Sequence, residues 1–133
     1  MKVKIAFLLC FVFLLCGCAF GEDIRTKYAQ VTLSDSKIFT DKELDDAVKT
    51  TKNYFVSIFP NCQLNEIKYD ENYSVRKIPE WHLDYLDEDK VLLLKITFDG
   101  EVWEGHPETN DFRILGLTRS EHSNWSVVES GYF

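Results

Sequence analysis

Apolar positions along the chain change their period from segment to segment, and each period predicts an element. Leu44, Ala47, Val48, Thr51, Phe55, Ile58 and Phe59 recur at helical spacing and make one face of a helix of about five turns. Asp41, Asp45, Asp46, Lys49, Lys52 and Asn53 take the opposite face, acids early and lysines late, the order that the helix dipole favours. Thr40-Asp-Lys-Glu43 fits a capping box, with Ile38 or Phe39 placed to close over Leu44 as a staple. Pro60-Asn61 stops the helix.

Beyond that stop the period shortens to two. Cys62, Leu64, Ile67 and Tyr69 read as a strand whose alternation slips near Glu66, the mark of a bulge. Residues 70–72 read as a turn. Ile78-Pro79-Glu80-Trp81 looks like the start of a short helix with proline in its first turn, running to about Leu86. Val91 to Phe98 is apolar on both faces in its first half, which predicts the central strand. A polar loop is expected over about 104–111. A strand through Phe112, Ile114 and Leu115–Leu117 follows, then a turn over 120–124, then a last strand from Trp125 through Val127 and Val128. Consecutive strands joined by short loops pair antiparallel. The expectation is an α+β domain over 37–133, with one long helix on a curved, about four-stranded antiparallel sheet and a short second helix.

The amino terminus follows a different pattern. Met1-Lys-Val-Lys is basic, and Ile5 to Leu15 is apolar apart from Cys10. That run is too short to cross a ~30 Å hydrocarbon core comfortably and suits a secretory leader. Leu15-Cys16-Gly17-Cys18 resembles the bacterial lipobox. The resemblance implies a signal peptide over 1–17, cleavage before Cys18, and acylation of Cys18 by diacylglycerol and often a third chain. Two acyl chains suffice for stable attachment, at roughly 0.8 kcal/mol per buried methylene. Residues 18–36 lack sustained periodicity and are expected to be a lipidated tether, with a short strand over 28–33 as the alternative. The expected location is the extracytoplasmic face of the cell membrane.

Charge narrows the partners. The chain has 15 basic and 22 acidic residues, net −7, and loss of Lys2 and Lys4 with the leader would bring it to −9. An acidic domain is a poor nucleic-acid binder, which needs a basic footprint. Of the four cysteines, loss of the leader and acylation of Cys18 would leave Cys62 alone, so no internal disulfide is expected.

No residue set carries recognisable chemistry. Cys62 has no family signature around it and reads as a small core residue. His82, His106 and His122 lie too far apart for a local metal site, and Glu104-Gly-His106-Pro-Glu108 reads as a solvated run. Asp84, Asp87, Glu88 and Asp89 lack a calcium-loop pattern. No cofactor is expected. Trp81, Tyr85, Trp103 and Trp125, with Tyr54, Tyr69 and Tyr73, exceed the needs of so small a core. Packing is their ordinary use. Tyr54, Tyr69, Trp81, Trp103 and Trp125 are the candidates to line the mouth of a pocket between helix and sheet.

The run Phe39-Thr-Asp-Lys-Glu43, then Ala47-Val48, Tyr54-Phe55, Phe59-Pro-Asn-Cys62-Gln-Leu64, Tyr69-Asp70, the Val91-Leu-Leu-Leu strand ending at Phe98-Asp99, and Trp125-Ser-Val-Val-Glu-Ser-Gly-Tyr132 resembles small lipoproteins of Gram-positive gut bacteria with a helix-plus-sheet domain. The closing Trp125-x-Val127-x-x-x-Gly131 also resembles the last strand of NTF2-like and cystatin-like domains. The resemblance implies an α+β fold and lends no activity. Two function classes follow. One is a non-catalytic lipoprotein domain that binds a protein or another envelope component. The other is a small-ligand carrier, or a degenerate NTF2-like enzyme, with a pocket between helix and sheet.

Overall fold

The computed structural model describes residues 22–103, 105–121 and 124–132, and of Trp103, His106 and Glu108 the backbone only. The elements in chain order are α1 (Ile24–Lys27), β1 (Gln30–Leu33), α2 (Asp41–Ile58), β2 (Cys62–Tyr69), α3 (Glu71–Lys77), a 3₁₀ turn (Ile78–Trp81), a second 3₁₀ turn (Glu88–Lys90), β3 (Val91–Trp103), β4 (His106–Thr118) and β5 (Ser126–Gly131). The fold is α+β. The strands form one sheet in the order β1-β2-β3-β4-β5. β1 runs parallel to β2 and the other pairs are antiparallel. A crossover through α2 therefore joins the parallel pair, and a meander completes the sheet.

The expected helix is α2. Thr40 caps it: its hydroxyl accepts from the Glu43 amide at 3.2 Å, and the Glu43 carboxylate accepts from the Thr40 amide at 3.1 Å. Leu44, Ala47, Val48, Thr51 and Phe55 are buried against the sheet, and Phe39 joins them from the staple position. Ile58 departs from the expected face. It is exposed, whereas Phe59, expected on the same face and the residue that ends the helix, is in the core. Phe55, Phe59 and Phe98 form a triangle of rings with centroids 4.8–5.7 Å apart. These rings fill the layer between α2 and the sheet, where the sequence suggested the mouth of a pocket.

The bulge in β2 falls where the alternation slips. Pairing with β3 shifts register between Leu64 and Glu66, while Cys62, Leu64, Ile67 and Tyr69 all stay inward. At the start of β2 the partner strand passes very close. A Cβ on Gly100, whose φ is 137°, would lie 2.4 Å from the Asn61 carbonyl oxygen, so only glycine fits.

Four expectations need correction. The sheet has five strands and is mixed, because residues 30–33 of the expected tether pair along β2 from Gln30↔Glu66 to Leu33↔Tyr69. Most of the side chains of β1 are exposed, so backbone hydrogen bonds rather than an apolar face hold it, and no hydrophobic period marks it. Residues 70–72, read as a turn, open α3, with the Asp70 carboxylate accepting from the Tyr73 amide at 3.1 Å. This helix buries Ser74 rather than an apolar stripe, which left no helical period to find. The helix expected to reach Leu86 stops after the 3₁₀ turn at Trp81, because His82 takes a left-handed φ of 56°. Finally, much of the polar loop of 104–111 is the β3–β4 hairpin, paired out to Trp103↔His106; its polarity reflects a ladder that extends past the cover of α2.

α1 fastens the same region. α2 has no basic residue in its last turn. The Arg25 guanidinium supplies the missing charge, donating to the carbonyls of Phe59 at 2.9 Å, Pro60 at 2.7 Å and Val56 at 3.3 Å. It satisfies the orphan carbonyls of the helix end and offsets their partial negative charge.

Candidate functional site

The two faces of the sheet are covered unequally. α2 closes the inner face. On the outer face Ile78, Trp81 and Leu83 pack on Val91, Leu93 and Ile114, and the Ser74 hydroxyl accepts from the Leu93 amide at 2.9 Å. That cover extends over only part of the face. Beside it lies a groove of about 280 Å³ whose lining includes Tyr73, Leu93, Ile114, Phe112 and Tyr132, with Lys68 and Lys95 among them. Phe112 and Tyr132 meet edge to face at 6.0 Å, and the Lys95 ammonium sits 4.9 Å from the Phe112 ring centre. Arg76 lies over Tyr73 at 5.9 Å.

Lys68 and Lys95 are direct cross-strand partners in the β2–β3 ladder. Like charges opposite each other on a sheet are destabilising. Glu66 and Asp70, two residues to either side of Lys68, form no ion pair with either lysine among the described residues. The Asp70 carboxylate is committed to capping α3.

A second polar cluster lies at the opposite end of α2. Arg119 is buried, its Nε donates to the Asp89 carbonyl at 2.9 Å, its guanidinium pairs with the Glu43 carboxylate, and it stacks 4.5 Å over Trp125. Trp125 Nε1 donates to the Glu43 carbonyl at 3.1 Å. The Thr40 amide holds the Glu43 carboxyl below its usual range; burial opposes this and Arg119 reinforces it. This cluster ties three segments together and leaves no polar group free to meet a ligand.

A third network joins the loop before α2 to α3. Ser36 donates to the Glu71 carboxylate, the Lys37 amide donates to it at 3.0 Å, and the Tyr69 phenol approaches it at 3.4 Å. Burial works to raise the Glu71 carboxyl, but Ser36 and the Lys37 and Ile38 amides outweigh it, so its pKa falls. Burial, with Glu71 beside it, drives the Tyr69 phenol strongly upward. Behind this network is a cavity of about 200 Å³ lined by Ile38, Phe39, Tyr69, Ser74 and Ile78 among others.

The aromatic candidates separate. Tyr69 lines that 200 Å³ cavity, and Trp81 lines a different hollow beside His82 and Glu129. Tyr54 packs edge to face on Phe59 at 6.5 Å, and Trp125 on Phe39 at 5.5 Å. The Trp103 side chain and Cys18 lie outside the described residues, as do Glu104, His122 and the side chains of His106 and Glu108. Cys62 is buried and unpaired, and burial pushes its thiol up, Arg25 and Arg113 pulling against it and Asp111 adding to it. Among the described residues no three His, Cys, Asp or Glu side chains converge on a metal position, and no helix is long and apolar enough to cross a membrane.

Sequence reasoning missed the groove. Alternation places Lys68 and Lys95 outward, each between inward neighbours, but only the register of β2 on β3 sets them opposite one another. No protein-family model, curated protein or solved structure matches this chain.

Proposed function

We propose that this chain is a membrane-anchored lipoprotein, lipidated at Cys18 on the extracytoplasmic face, whose α+β domain binds a protein or another envelope component and catalyses no reaction. The observation that carries this reading is Leu15-Cys16-Gly17-Cys18 directly behind a basic, apolar leader. The resemblance to small bacterial lipoproteins supports it, and so does the start of the fold. α1 begins at Ile24, six positions after Cys18, so a fully extended link is no longer than about 20 Å. A lipidated Cys18 would hold the domain close to the bilayer rather than on a long leash. Net charge near −9 repels an anionic leaflet, so attachment would rest on the acyl chains.

Metabolic labelling with an alkyne-tagged palmitate tests the anchor. Wild type and Cys16→Ser should incorporate label into the membrane fraction, and Cys18→Ser should incorporate none. Unchanged labelling of Cys18→Ser would end the lipoprotein reading. Affinity capture from envelope extract tests the binding role, and repeated failure to recover a specific partner would count against it.

The second reading, a domain that takes up a small ligand, draws its support from the outer-face groove rather than from the helix–sheet layer. Tyr73, Phe112 and Tyr132 there combine exposed ring edges with lysine ammonium groups, a lining suited to recognition.

A further inference from the structure

We propose that the groove on the outer face of the sheet, between α3 and Tyr132, is a binding site for a small organic carboxylate: one anionic group carried on an aromatic or branched apolar body. This deepens the small-ligand reading of that groove, on which it rests, and does not depend on the anchor.

Among the described residues Lys27, Lys37, Lys49, Lys68, Arg76 and Lys95 form no ion pair, whereas every other Lys or Arg from residue 22 onward does. Two of those six cations, Lys68 and Lys95, line this groove, and a third, Arg76, lies over the ring of Tyr73, one of its walls. On a domain with a large excess of acid, carboxylates were abundant enough to pair them. The cross-strand placement of Lys68 against Lys95 sharpens the point, since the two ammonium groups repel; Asp70, which also lines the groove, caps α3 and forms an ion pair with neither. Departures from a local stability rule with no ion pair to offset them are expected at functional positions. An external anion supplies the compensation.

The rest of the groove sets the ligand's body. Leu93 and Ile114 form an apolar floor, and Tyr73, Phe112 and Tyr132 stand around it. Lys95 is exposed, and its ammonium lies 4.9 Å from the centre of the Phe112 ring, so cation and apolar wall are presented side by side. A volume of about 280 Å³ is near the lower end for ligand sites. It suits one ring or branched chain with its carboxylate, and a large polyanion would meet the repulsion of the acidic surround. Salt screens that surround beyond about 8 Å, so the lysines govern a carboxylate already in the groove.

The test uses saturation-transfer NMR on the full chain in deuterated detergent, with 3-phenylpropionate as probe and 3-phenylpropionamide as its uncharged twin. Saturable binding is expected, with the acid favoured over the amide by about tenfold, the effect of two partly solvated ion pairs. In Lys68→Gln/Lys95→Gln that preference should vanish while the amide still binds. Phe112→Ala should weaken acid and amide alike, and Lys49→Gln, on the exposed face of α2, should change neither. Because the double variant removes a repulsion, its melting temperature without ligand should match or exceed wild type, which separates lost binding from lost folding. Equal binding of acid and amide by wild type, or a preference surviving in the double variant, would overturn the proposal. So would signals that track the detergent concentration instead of the protein.

Discussion

Arg119 offers the sharpest test of what holds α2 against the sheet. Its guanidinium joins Glu43 at the first turn of α2, the Asp89 carbonyl at the entrance to β3, and the Trp125 ring at the entrance to β5. Arg119→Ala would strand a Glu43 carboxylate that is 22% exposed, orphan a carbonyl and remove the stacking plane from Trp125. Breaking a buried pair from one side costs 3–5 kcal/mol; with Glu43 partly hydrated, the low end, about 3 kcal/mol, is expected. Replacing both partners without breaking the packing should cost far less. A cycle of Glu43→Gln, Arg119→Met and the double variant, followed by urea denaturation, should give a coupling of about 1–3 kcal/mol. Glutamine keeps the Thr40 cap, so the cycle isolates the charge. The acid limb supplies a second reading. The folded Glu43 carboxyl lies below its unfolded value, so its contribution is complete above about pH 4.5 and disappears as pH falls through the folded pKa. The gap between wild type and Arg119→Met should narrow in that window. A coupling within about 0.3 kcal/mol of zero at neutral pH would refute the assigned role.

Two further outcomes test the fold. Phe55→Ala, at the centre of the ring triangle and fully buried, should cost about 3–5 kcal/mol in denaturant titrations, whereas Lys49→Ala on the exposed face should stay within about 0.5 kcal/mol. Equal effects would refute the assigned face. Cys62 should resist a maleimide until the domain unfolds, because burial starves the thiol of thiolate; rapid stoichiometric alkylation of the native chain would show that it is exposed and reactive.

What the sequence disclosed depended on whether an element advertises itself through burial. α2 and β2 do so. Their apolar positions repeat at 3.6 and 2, and even the bulge at Glu66 is visible as a slipped period. β1 and α3 do not. β1 is held by backbone pairing along β2, α3 by an Asp70 cap and a serine under its turn, and neither buries an apolar face that could set a period. Arg25 shows the same limit from another side. Its neighbours carry no pattern, and its role as the cap of α2 becomes visible only once the chain has folded it beside Phe59 and Pro60. The lysine pair followed the same logic, since register, not composition, makes Lys68 and Lys95 neighbours.

Register and connectivity also set the groove apart from the first described element. α1, the first described element, sits at the start of β2, where Gln63 donates to the Arg25 carbonyl at 2.9 Å. Lys68 is five residues farther along the same strand, about 16 Å at the rise of a β-strand. The groove is also on the face of the sheet opposite α2. α1 therefore stands at one end of β2, with the lysine pair toward its other end and on the outer face. If Cys18 carries the proposed lipid, the link would join the domain at its α1 end, about 16 Å along β2 from Lys68, leaving the groove open to solutes or partners. Lengthening the link between Cys18 and Glu22 with a Gly/Ser insert should accordingly leave probe binding unchanged. A gain on lengthening, in chain reconstituted into vesicles, would mean that the short link holds the groove against the membrane, contrary to this placement.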